Sequence, residues 1–140
     1  MNPDHDVVLL TVPADGAYLG VLRTAAAGLA ARLHFTLDEI EDLRIAVDEA
    51  CAMLIRLAGP AGELRCRFAL AGDQLGVEVA VPVTPAAVVP DTSSFAWKML
   101  SSLTTDATTR VTDDSASILL TARRSATRRV PGLPAESATG

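Results

Sequence analysis

The sequence predicts an α/β fold of the α+β kind, a two-layer sandwich with a mainly antiparallel sheet and helices on one face. Three observations carry that class. Residues 15–34 and 36–57 space apolar side chains as helices do. Five shorter stretches are apolar and β-branched or alternate apolar with polar. The order is strand, helix, helix, two strands, helix, two strands, so hairpins stand beside consecutive helices and the strands pair antiparallel.

Residues 7–12, VVLLTV, read as a strand that Pro13 ends. Asp15 then caps a helix running to about His34, with Tyr18, Leu22, Ala25, Leu29 and Leu33 at helical spacing. Its opposite side, with Gly20, Ala26, Ala27, Ala30 and Ala31, should be solvated, yet Arg23 is the only charge between Asp15 and Arg32. A helix apolar nearly all round is usually covered on more than one side. Two readings fit: a central helix buried in its own domain, or a contact surface for a partner. On the second, Arg23 is the polar anchor, with Leu19 and Ala27 beside it.

Thr36 and Glu39 form a capping box, with Asp38 also in the first turn, and open a second helix that runs to about Leu57. Ile40, Leu43, Val47, Ala50, Leu54 and Leu57 line one face, and Gly59-Pro60 stops it. Two alternating strands follow. Leu64, Cys66, Phe68 and Leu70 point one way in the first; Leu75, Val77, Val79 and Val81 do so in the second. AGDQ, residues 71–74, joins them as a hairpin.

Residues 82–94 hold three prolines and read as a loop. A short helix carrying Phe95, Met99, Leu100 and Leu103 comes next, with Asp91 as its cap and Trp97 facing either core or partner. Strands near 107–111 and 116–122 flank a turn at Asp113-Asp114. One domain is therefore expected over residues 1–124. Residues 125–140 are small, polar and basic, and are expected to be a disordered tail.

Composition narrows the function. Hydrophobic residues at 49% and charged residues at 21% mark a globular chain, and aromatics at 4% leave the core to Leu, Val, Ile and Ala. The net charge of -5 argues against non-specific binding to nucleic acid or anionic membranes. The Arg123, Arg124, Arg128 and Arg129 run lacks the aromatics of a stacking platform. No apolar run approaches the ~20 residues that span a bilayer, and the acidic N-terminus does not resemble a secretory signal. Cys51 and Cys66 form no CxxC pair and read as small buried thiols rather than a redox switch. A cytoplasmic setting is expected.

EIEDLRIAVDEACAMLI (39–55), SFAW (94–97) and LTARR (120–124) occur in that order. Together they resemble the RsbW-type anti-sigma factors and serine-protein kinases, in particular an actinobacterial divergent branch. These belong to the GHKL superfamily of histidine-kinase-like ATPases. The resemblance covers roughly residues 7–124 and implies the histidine-kinase-like ATPase (Bergerat) fold.

It also implies a site. In the family a Glu on the second helix acts as general base, and an Asn four residues later holds Mg²⁺ against the ATP phosphates. Residues i and i+4 share a helical face, so both reach one nucleotide. Glu49 matches the Glu, but Met53 stands at the Asn position, and a soft thioether is a poor ligand for Mg²⁺. The family's Asp-x-Gly-x-Gly box has no counterpart in VEVAVPVTPAAVVP. The family's glycine-rich lid also fails, for there is no glycine between Gly76 and Gly132, and Phe95-Ala96-Trp97 stand where its last glycines would be. The expectation is therefore a vestigial base at Glu49, no bound cofactor and no metal.

The function implied is sequestration of an alternative sigma factor, opposed by a STAS-domain anti-anti-sigma factor, by a protein that forms homodimers. Counting back from Glu49, Arg23 falls at the arginine that relatives place on their sigma- and antagonist-binding surface. On that view Arg23→Glu weakens partner binding and leaves stability little changed. The alternative is an active ATP-dependent serine-protein kinase that phosphorylates its STAS antagonist, with ATP and Mg²⁺ bound and Glu49 as base.

Overall fold

Among the described residues five strands form one sheet: β1 (His5–Pro13), β2 (Glu63–Ala71), β3 (Gln74–Pro82), β4 (Asp106–Val111) and β5 (Ser115–Arg123). Their order is β1-β2-β3-β5-β4, and every neighbouring pair is antiparallel. The helices α1 (Leu19–Arg32), α2 (Leu37–Ile55) and α3 (Phe95–Ser102) complete the second layer. This computed structural model describes residues 5–59, 62–83 and 90–125. Residues 84–89 of the proline-containing loop, and all of the expected 125–140 tail except Ser125, lie outside the described residues.

The alternation read from β2 and β3 sets the core. Leu64, Cys66, Phe68 and Leu70 face the helices with Leu75, Val77, Val79 and Val81, and β5 adds Ala116, Ile118, Leu120 and Ala122. Each large side chain so buried contributes about 1.5–3 kcal/mol relative to exposure. The hairpin turns on two residues, Gly72 and Asp73, and the positive φ it needs falls on Gly72 at 62°.

Asp15 caps as expected, its side chain accepting from the Ala17 N–H, but the turn it caps is 3-10, over Gly16–Tyr18. The buried face of α1 differs from the expected one. Leu22, Ala26 and Ala30 are fully buried, while Ala25, Leu29 and Leu33 pack partly against the core and Tyr18 is exposed. Residues 22, 26 and 30 make an i, i+4, i+8 stripe whose small members let α1 approach closely. Apolar residues on all sides of this helix hid that phase from periodicity.

The end of α1 is a Schellman motif. Phe35 N–H donates to Ala30 O at 3.1 Å and His34 N–H to Ala31 O at 2.9 Å, with His34 left-handed at φ 66°. Helix α2 begins on the capping box: Glu39 N–H donates to Thr36 Oγ1 at 3.1 Å and Thr36 N–H to Glu39 Oε1 at 2.7 Å.

For α3 the cap is Ser94, whose hydroxyl accepts from Trp97 N–H; the expected cap, Asp91, accepts from Ser93 one turn earlier. Trp97 and Leu100 face the core. Phe95, two residues from Trp97 and thus about 200° around the helix, is 80% exposed.

Candidate functional site

The capping box fixes where α2 starts, and so which side chains its phase turns inward. Leu43, Val47, Ala50 and Leu54 face the core, α2 lies over β3 and β5, and α1 and α3 flank it. Glu49 is half-buried beside Ala50, and among the described residues its carboxylate has no ion-pair partner. Met53, one turn on, is 7% exposed and belongs to the core cluster. The i, i+4 strip that holds both positions therefore leads from a partly open carboxylate into packed hydrocarbon. A buried thioether offers no hard oxygen, so position 53 does not fit a Mg²⁺ ligand. Residues 95–97 are helical, with Trp97 in the core, so they do not form a nest of backbone N–H groups. Among the described residues no group of three His, Cys, Asp or Glu side chains converges as a metal site.

The second candidate site is the outward side of α1. Arg23 Nη1 donates to Asp48 Oδ2 at 2.7 Å, tying α1 to α2, and the two side chains are 37% and 31% exposed. Among the described residues Asp48 Oδ1 is buried without a hydrogen-bond partner. The guanidinium lies over Gly20, where an added Cβ would make ordinary contact with Arg23 Nη2 at 3.5 Å. Leu19 and Ala27 are half-buried, and Leu19 packs against the core. Val21, Thr24, Gly28 and Ala31 remain exposed on this helix, with Ile45 exposed on α2. One stripe of α1 is thus core, and a second side of small and apolar residues is uncovered.

Sequence reasoning placed Asp48 in a general acidic cluster and missed its pairing, because partners 25 residues apart leave no periodic signal. The rest of that cluster divides. Asp38, Glu41 and Asp42 are exposed, and Glu41 accepts from Arg44. Glu39 instead joins three segments, since its Oε2 also accepts from Ser125 N–H at 2.9 Å and Ser125 Oγ at 2.7 Å. Burial works to raise its pKa, but the hydrogen bonds from Thr36 and Ser125 prevail and lower it to about 2.

Both cysteines are buried. Burial raises the Cys51 thiol, with Cys66 and Asp48 adding to the effect, and burial with nearby Glu78 pushes Cys66 up to about 12. Neither is poised as a nucleophile at neutral pH. No helix among the described residues is long and apolar enough to cross a membrane.

Residues 12–94 match the model of the histidine kinase-like ATPase domain. The serine-protein kinase RsbW of Bacillus subtilis is 41% identical over 83 residues, which is 57% of this chain and 52% of that protein. RsbW of Bacillus pumilus is 38% identical over 85 residues with the same coverage. The chain thus spans about half the length of these curated relatives. A crystal structure of the RsbU and RsbW domains of a Mycobacterium tuberculosis protein matches with a TM-score of 0.69 and 19% identity. That match covers 89% of this chain and 34% of the other, and it shows a shared fold. The matched family span runs from the end of β1 through α1, α2 and the β2–β3 hairpin to the cap of α3, and it includes Glu49 and Met53. The chain belongs to the histidine kinase-like ATPase domain family, and it is RsbW-like.

Proposed function

We propose that this protein is an anti-sigma factor that acts by stoichiometric binding. It sequesters an alternative sigma factor, and a STAS-domain anti-anti-sigma factor releases that factor by competing for an overlapping surface. The observation that carries this reading is Met53. At the position where the family holds Mg²⁺ through an oxygen, this chain buries a thioether in its core. A protein that works through surfaces needs only the fold, and the uncovered side of α1 around Arg23, Leu19 and Ala27 supplies one. We place the protein in the cytoplasm, as a homodimer, in a stress-response circuit.

A second reading is an active serine-protein kinase with Glu49 as base. It is favoured by the name of the Bacillus relatives and by Glu49 itself, half-buried and without an ion-pair partner among the described residues. Titration calorimetry with Mg-ATP separates the two. The binding reading expects no heat of binding and no phosphate transferred to a STAS-domain antagonist. Micromolar Mg-ATP binding together with phosphate transfer that Glu49→Ala abolishes overturns it in favour of the kinase. Co-purification from the native cell tests the partner: a sigma factor in the complex is expected, and its consistent absence counts against the role.

A further inference from the structure

We infer that Asp48 is a positioning residue for Arg23, holding its guanidinium in the orientation in which a partner meets it. The inference rests on the proposed role of the α1 surface. Arginine has many rotamers, and fixing one on association costs affinity. Here a neighbour fixes it beforehand. Side chains on a helix lean toward its N-terminus, which brings Arg23 back over Gly20, where a Cβ would meet Nη2 at an ordinary contact distance of 3.5 Å.

Asp48, reaching across from α2, then accepts a single bond from Nη1 through Oδ2. The pair is monodentate. One nitrogen is held by Asp48, and the remaining donor edge of the fork is left for an acidic group on the partner. Among the described residues Oδ1 is buried with no hydrogen-bond partner, so the carboxylate's hydrogen bonding goes to Arg23 alone. Exposure near one third on both sides keeps the pair accessible rather than sealed in the core. Asp48 acts through Arg23 and does not contact the partner.

The test pairs a spectroscopic measurement on the free protein with binding to the sigma factor that co-purifies with it. In nuclear magnetic resonance, the Arg23 side-chain Nε–H should be ordered in the wild type and mobile in Asp48→Asn. Affinity should fall about 2- to 12-fold in Asp48→Asn, the equivalent of one immobilised long side chain. In an Arg23→Ala background the same Asp48→Asn change should cost nothing further, as it has no guanidinium left to position. Gly20→Ala should bind as the wild type does, because its Cβ makes only ordinary contact with Nη2.

An equal loss from Asp48→Asn with and without Arg23 overturns the inference, since Asp48 would then act on its own. A guanidinium equally mobile in the wild type and in Asp48→Asn overturns it too. If Arg23→Ala weakens binding and Asp48→Asn does not, positioning alone fails. If neither change weakens binding, the surface assignment fails with it.

Discussion

Arg23→Glu sets a carboxylate where a guanidinium now meets Asp48 at 2.7 Å. Two effects add. The ion pair, with both side chains about a third exposed, contributes on the order of 1 kcal/mol once solvent screening is counted. The new like-charge pair, relaxed to about 5 Å at an effective dielectric between 20 and 80, opposes folding by about 1–3 kcal/mol. Swinging apart removes part of that, so the variant should be less stable by about 2 kcal/mol. Urea unfolding, followed through the single and buried Trp97, measures it. The deficit should shrink in 1 M salt, where the Debye length is about 3 Å. About half of it should remain in Arg23→Glu/Asp48→Asn, which removes the repulsion but still lacks the ion pair. An Arg23→Glu protein that unfolds at the wild-type urea concentration would show that the pair does not form. The sequence alone led to the opposite expectation, an exposed arginine whose reversal spares stability. With Asp48 beside it, charge reversal mixes lost stability with lost binding, and Arg23→Gln is the cleaner probe.

Three further outcomes are expected. A carboxyl depressed from 4.5 to about 2, as in Glu39, contributes stability that is complete above about pH 4.5 and is lost as pH falls toward 2. Glu39→Gln keeps a capping-box side chain, so its urea midpoint should fall less steeply than the wild type's over that window; parallel curves would refute the role. His34→Gly should stabilise the protein by about 1 kcal/mol in the same assay, because only glycine takes the left-handed position after α1 without a Cβ penalty; a loss of stability would mean that the imidazole has an unseen role. Neither Cys51 nor Cys66 should react with a thiol reagent at neutral pH until urea unfolds the chain; rapid labelling of the native protein would contradict their burial.

Much of the fold was legible because local rules and tertiary demands agree. The capping box at Thr36 and Glu39, the alternation in β2 and β3 and the breaker after α2 each specify one outcome. The phase of α1 was not legible. Alanine on every side gives periodicity nothing to contrast, and the choice of Ala26 and Ala30 as core comes from packing against other elements. At α3, Asp91 and Ser94 are equally good caps by composition, and only the geometry of the turn selects Ser94. Of the candidate site, Glu49 and Met53 were found through the family resemblance of the second helix, whose i, i+4 pair is local. Asp48 with Arg23, and Glu39 with Ser125, join residues 25 and 86 apart, and no local pattern encodes such pairs.

The two candidate regions are connected through α2. Its capped first turn sets a phase in which position 53 must face inward while position 48 reaches toward α1. An amide at 53, buried to the same extent, would need a hydrogen-bonding partner or a ligand, and an unpaired one costs about 1–3 kcal/mol. Methionine removes that need and adds a flexible apolar filler to the core. Packing at position 53 then adds to the capping box and the Arg23–Asp48 pair in holding the helix in place. Asp48 sits on the same rigid helix, so the carboxylate that holds Arg23 inherits its position from that packing. On the binding reading, the substitution that removes the metal ligand is also one that steadies the platform behind the partner surface.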